Sequence, residues 1–113
     1  MTIIYTAIAI FGMTAILGMY LLSLVLRSKQ TPKAVSIIHG LFATVGLILL
    51  FVYNAGNNPG PVESIIIFVI AALGGFLLFY KDITSNKVPK WLALVHGVVA
   101  VTGFVILLLF AFS

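Results

Sequence analysis

The sequence predicts an all-α integral membrane protein, an up-down-up-down four-helix bundle built from two tandem helical hairpins. Hydrophobic residues make up 63% of its 113 residues and charged residues only 7%, whereas a soluble domain carries about 25% charged residues. The apolar residues form four segments, each long enough to cross about 30 Å of hydrocarbon. The second pair of segments repeats the first at an offset of 57 residues. We therefore expect one domain, 1–113, with repeat halves of approximately 1–57 and 58–113.

The four predicted helices cover residues 3–26, 34–53, 62–80 and 91–112. The first has no basic leader and is too long for the apolar part of a secretory signal, so we expect it to remain in the membrane. Gly12 and Gly18 place small residues along this helix, which permits close helix contact. The second helix follows a polar turn in which Pro32 suits the first turn of a helix.

The second hairpin follows an uncharged turn, 54–61, that is rich in Asn, Gly and Pro. Glu63 lies at the start of the third helix, where a carboxylate interacts favourably with the helix dipole. A second polar turn is expected at 81–90, before the fourth helix. The repeat extends into the third helix, because Gly75 stands 57 residues after Gly18.

All six basic residues lie in the first and third turns: Arg27, Lys29, Lys33, Lys81, Lys87 and Lys90. The positive-inside rule places these turns in the cytoplasm and both termini outside it. We therefore expect an integral protein of a bacterial inner membrane, surrounded by lipid. The basic residues flank apolar spans, so they are interpreted as topology signals and not as a nucleic-acid-binding patch.

The only two histidines, His39 and His96, stand at equivalent positions of the two halves, six residues after Lys33 and Lys90. Six helical residues rise about 9 Å, so both imidazoles are expected at one depth. Helices 2 and 4 are diagonal neighbours in such a bundle, with axes roughly 12–14 Å apart. Two imidazoles with an iron between them fill about that span. The pair is therefore predicted to be the axial ligands of one haem b per chain.

Small residues follow each histidine on the same helix face, four and seven positions later: Ala43, Gly46, Ala100 and Gly103. Bulky side chains at these positions would block a flat macrocycle, so the four residues are interpreted as a slot for the porphyrin. Ordinary small-residue helix packing is the alternative. Lys33 and Lys90 begin the two helices at the cytoplasmic interface, where long basic side chains are expected to meet the anionic haem propionates. A role in topology alone also accounts for them.

The two histidines have alternative interpretations that do not involve haem. A membrane histidine can serve as a hydrogen-bonding residue between helices. A structural zinc site is disfavoured because it needs four nitrogen or sulfur ligands, and the chain has no cysteine. The lack of cysteine also excludes disulfides and covalent haem attachment. A proton relay usually draws on Asp or Glu in mid-membrane, where none is expected in this chain.

The segment 33–47, KAVSIIHGLFATVGL, resembles the haem-ligand helices of membrane b-type cytochromes. It is most similar to those of the ascorbate-reducing di-haem family, in which a lysine precedes histidines on helices followed by Ala and Gly. The resemblance covers 15 residues in each half and implies that His39 and His96 are axial ligands. That family has six helices and four histidines, whereas this chain has four predicted helices and two histidines.

The sequence thus predicts a membrane cytochrome b with one haem near the cytoplasmic face. Two axial histidines leave the iron without an open position, which favours electron transfer over oxygen activation. A quinone, superoxide or a partner protein is the expected redox partner, and haem sensing or handling is the other use of such a site. One haem near one face does not by itself carry an electron across about 30 Å of membrane.

The alternatives without haem are a small four-helix transporter and an accessory subunit of a larger complex. Small multidrug transporters carry an essential glutamate in helix 1, which this chain lacks. The sequence leaves open whether the protein is an oxidoreductase or an electron carrier, and what its oligomeric state is.

Overall fold

The computed structural model describes residues 1–113 as four helices: α1 Thr2–Leu26, α2 Lys33–Gly56, α3 Val62–Ser85 and α4 Lys90–Phe112. Each helix is long and apolar enough, by length and composition, to span a membrane. The molecule is 43 Å long, which is close to the thickness of about 40–45 Å of a bilayer with its headgroup regions. Large apolar side chains point outward along the bundle, including Ile16, Met19 and Phe76, which are 69–72% exposed. The predicted fold class is confirmed.

The helices pack around the bundle in chain order. α1 packs on α2 and α3 on α4, which forms two hairpins, and contacts of α1 with α4 and of α2 with α3 join them. The diagonal pairs α1–α3 and α2–α4 have no Cα atoms within 8 Å of each other. The predicted up-down-up-down arrangement is therefore confirmed, and α2 and α4 are diagonal neighbours across the axis.

The two helices that carry a histidine begin with the same backbone geometry. Pro32 and Pro89 are their N-cap residues, both with φ −62° and with ψ of 123° and 124°. Their carbonyl groups accept hydrogen bonds from the amides of Ser36 and Ala93, both at 3.1 Å. Proline fits the start of a helix because its missing N–H would have no intrahelical partner there. The equivalent prolines therefore start α2 and α4 at equivalent lysines.

The third helix extends further than its apolar pattern predicts. The sequence predicts an end at residue 80 and a polar turn over 81–90, but α3 continues to Ser85. Asn86 caps it in the left-handed conformation, with φ 54°, and donates its amide to the carbonyl of Asp82 at 3.1 Å. Asparagine tolerates this conformation better than most residues. Asp82 therefore lies in the last turns of a helix and not in a solvated connection.

Residues at equivalent positions of the two halves meet in the core. Phe11 and Phe68 stack across the α1–α3 diagonal with ring centres 4.0 Å apart and planes inclined by 4°. Leu50 and Leu107, again 57 positions apart, are fully buried in the same hydrophobic cluster. The repeat in the sequence is thus a repeat in the packing, and the bundle axis relates the two hairpins approximately by a two-fold rotation.

Candidate functional site

His39 on α2 and His96 on α4 face each other across the bundle. Their ring centres are 6.3 Å apart and their planes are inclined by 76°. A hydrogen bond between two imidazole nitrogens would bring the ring centres to about 5 Å, so the two rings are not directly bonded. With metal–nitrogen bonds of about 2.0 Å, two imidazoles on opposite sides of one metal ion have ring centres about 6.3 Å apart. The separation therefore fits two ligands of one iron.

A backbone carbonyl group of α1 orients His39. Nδ1 of His39 lies 2.9 Å from the carbonyl oxygen of Thr14, and because a carbonyl only accepts, Nδ1 must carry the proton. In the neutral ring Nε2 is then unprotonated, which is the form in which an imidazole binds a metal. Nδ1 of His96 is buried without a hydrogen bond and faces the carbonyl group of Ala71, the residue equivalent to Thr14. The two rings are thus held in similar surroundings, and His39 is held more firmly.

Glycines of the neighbouring helices form the surfaces on which the imidazoles pack. A Cβ atom on Gly18 of α1 would lie 2.9 Å from Cε1 of His39, and one on Gly75 of α3 would lie 3.2 Å from Cε1 of His96. Both distances are shorter than an ordinary carbon–carbon contact of about 3.5–4.0 Å. The sequence repeat marks these two glycines only as helix-packing residues. Their additional role is to give the two histidine rings room beside the helix backbone.

The residues predicted to form a porphyrin slot lie in two different environments. A Cβ atom on Gly46 would lie 2.7 Å from Cζ of Phe11, and one on Gly103 would lie 3.2 Å from the ring of Phe68. These two glycines therefore make room for the phenylalanine stack, and their faces are covered by phenyl rings. The other two members of the predicted slot are half-buried: Ala43 and Ala100. The glycine faces thus fit the phenylalanines.

A buried ion pair lies at the end of the bundle that carries all six basic residues, here called the basic end. Asp82 is 5% exposed; its Oδ2 accepts a hydrogen bond of 2.6 Å from the Thr31 hydroxyl group, and its Oδ1 lies 2.9 Å from Nζ of Lys33. These three residues, the triad, join the α1–α2 turn to the end of α3. No local pattern in the sequence predicts the contact of Asp82 with Thr31 and Lys33. Lys33, predicted to meet the propionates, is paired within the protein, and Lys90 is exposed without a carboxylate partner.

Replacement of Asp82 by alanine is expected to lower the free energy of unfolding by about 1–3 kcal/mol, because it leaves the Thr31 hydroxyl group and the half-buried Lys33 ammonium group without their acceptor. Glu63→Ala is the matched control, since it also removes one carboxylate from α3 but at an exposed position. Thermal unfolding of both variants in detergent, followed by circular dichroism, measures the difference. Equal unfolding temperatures of the two variants would show that the triad contributes no more to stability than the exposed Glu63 carboxylate.

Comparison of the chain with protein-family models gives no match, and comparisons with curated proteins and with solved structures give none either. No three His, Cys, Asp or Glu side chains converge in the structure. The interpretation of function therefore depends on the histidine pair and its surroundings.

Proposed function

We propose that this protein is a membrane-embedded b-type cytochrome that binds one haem through His39 and His96. The observation that carries the proposal is the separation of 6.3 Å between the two imidazole rings. It supports a shared metal because it is too long for a direct hydrogen bond and fits coordination from opposite sides. The rings also come from equivalent positions of two equivalent hairpins, which suits a ligand pair with the symmetry of the bundle.

Each residue around the pair has a defined part in this proposal. His39 and His96 would supply the axial nitrogens, and the Thr14 carbonyl group would hold the His39 ring and increase the basicity of its Nε2. Gly18 and Gly75 would keep the rings close to α1 and α3. A bound haem supplies a one-electron couple, and two axial imidazoles leave its iron no open position, which favours electron transfer.

Electron partners would approach the site from the basic end. Each histidine is six residues from the start of its helix, which corresponds to about 9 Å. In the orientation that the positive-inside rule favours, this end faces the cytoplasm of a bacterium and both termini lie outside. Quinol, superoxide and a partner protein are the candidate partners. Lys90 is the lysine that remains available for a haem propionate, since Lys33 is engaged by Asp82.

The absorption spectrum of the protein purified in detergent tests this proposal. We expect a Soret band, sharp α and β bands after reduction with dithionite, and one haem per chain by the pyridine haemochrome assay. Cells supplied with a haem precursor provide the material, and haemin added to the purified protein provides a second route to the loaded form. A folded preparation that stays colourless by both routes would instead favour the small transporter or the accessory subunit.

A further inference from the structure

A cavity of about 450 Å³ opens at the basic end, between the two turns that carry the basic residues. Three lysines line it: Lys29, Lys87 and Lys90. None of the three forms an ion pair. Asp82 also lines the cavity, but its two carboxylate oxygens are already bound by Thr31 and Lys33. The cavity is therefore surrounded by positive charge that the protein does not neutralise.

The cavity lies where the repeat would place a second copy of the triad. The residues equivalent to Asp82, Thr31 and Lys33 are, 57 positions away, Val25, Val88 and Lys90. All three equivalents line the cavity. The lysine is thus present in both halves, whereas the carboxylate and the hydroxyl group of the triad are replaced by valine side chains. Lys33 has a counter-ion inside the protein and Lys90 has none.

The chain has no second carboxylate to place there. Its only other acidic residue is Glu63, in the first turn of α3, at the opposite end of the bundle. Like charges that line one cavity repel each other, even where solvent weakens the repulsion. An anion from outside the chain would relieve it.

We propose that this cavity binds a phosphate group, which supplies for Lys90 the negative charge that Asp82 supplies for Lys33. A lysine ammonium group is a compact point charge with three donors, which suits a multiply charged oxyanion. The valine at position 88 offers no hydroxyl group, but the cavity is also lined by the polar side chains of Ser28, Gln30 and Asn86. The phosphate belongs either to a soluble molecule or to an anionic phospholipid, since the cavity opens at the end of the bundle where headgroups lie. The proposal concerns the haem-free protein, since a haem propionate at Lys90 would compete with the phosphate.

Thermal unfolding of the haem-free protein tests the proposal. In detergent, inorganic phosphate is titrated at constant ionic strength, with chloride as the balancing anion. In nanodiscs, pure phosphatidylcholine is compared with mixtures that contain phosphatidylglycerol. A ligand that binds only the folded state raises the unfolding temperature in a saturable way. If the ligand is a soluble phosphate, we expect this rise in the detergent series. If the ligand is a lipid headgroup, we expect the rise only in the nanodiscs that contain phosphatidylglycerol. No saturable rise in either series would overturn the proposal.

Three variants test whether the anion binds in this cavity. Val25→Asp combined with Val88→Thr rebuilds the triad around Lys90 and should abolish the saturable rise. Lys90→Gln should weaken the apparent affinity about tenfold, the usual effect of losing one charged hydrogen bond. Lys81→Gln removes the same charge from the basic end but lies outside the cavity lining, and it should change the affinity less than about twofold. If the double variant does not fold, the two lysine variants still decide, since equal weakening by both would assign the effect to general surface charge.

Discussion

Alanine in place of either His39 or His96 is expected to abolish low-spin haem in the purified protein. These are the only two histidines of the chain, which also has no cysteine, so no other imidazole and no thiol is present to replace a lost ligand. The reduced α and β bands should therefore disappear, and any residual haem should be high-spin. Absorption and electron paramagnetic resonance spectra of each variant measure the change.

The neighbouring glycines provide matched controls for the histidine variants. A Cβ atom on Gly40 or on Gly97 would meet nothing within 4 Å, so Gly40→Ala and Gly97→Ala should keep the full low-spin spectrum. Imidazole added to His39→Ala should restore six-coordinate haem if the variant is folded, because the free ligand can enter the space that the side chain leaves. A full complement of low-spin haem in either single alanine variant would show that the proposed axial pair is wrong.

Leucine in place of Gly46 is expected to destabilise the bundle strongly. The first added carbon would lie 2.7 Å from Cζ of Phe11, whose ring stacks on Phe68 in the core. Overpacking of this kind costs about 1–3 kcal/mol, and the loss should already be seen in the haem-free protein. Gly12→Leu is the control, because a Cβ atom there meets nothing within 4 Å. The thermal unfolding temperatures of the two variants in detergent give the comparison.

A double-mutant cycle distinguishes a steric clash of Leu at position 46 with Phe11 from a clash with bound haem. In a Phe11→Ala background the ring that blocks position 46 is absent, so Gly46→Leu should cost less than it does in the wild-type protein. If Gly46 instead served only to admit a porphyrin, haem-free Gly46→Leu would unfold at the same temperature as Gly12→Leu. That result would contradict the packing role and return Gly46 to the predicted slot.

The fold could be predicted because its signals are local or periodic. Segment length and hydropathy define four spans, and the positions of His39 and His96 in a repeat predict that they share a depth in the bundle. Equivalent prolines, Pro32 and Pro89, then produce equivalent helix starts. None of these inferences requires knowledge of which side chains touch.

The details of the site could not be predicted because they depend on contacts between distant segments. Asp82 lies in a mainly polar segment, 81–87, after an apolar run, so the sequence predicts a turn there and gives no sign of its contact with Lys33. Gly46 leaves space on the histidine face of α2, and the sequence cannot distinguish space for a porphyrin from space for the ring of Phe11. The hydrogen bond between His39 and the carbonyl group of Thr14 could not be predicted from the pattern of side chains, since every residue has a carbonyl group.

The depth of the histidines also determines how strongly a membrane potential acts on them. The histidines lie about 9 Å from the helix starts at the basic end, so a charge that enters from this end crosses at most a third of the hydrocarbon thickness of about 30 Å. A full crossing at 100 mV corresponds to about 2.3 kcal/mol, so this partial crossing corresponds to at most about 0.7 kcal/mol. The stacked rings of Phe11 and Phe68 fill the axis on the longer route to the other face. Charge transfer to the histidine pair would therefore proceed with little dependence on whether the membrane is energised.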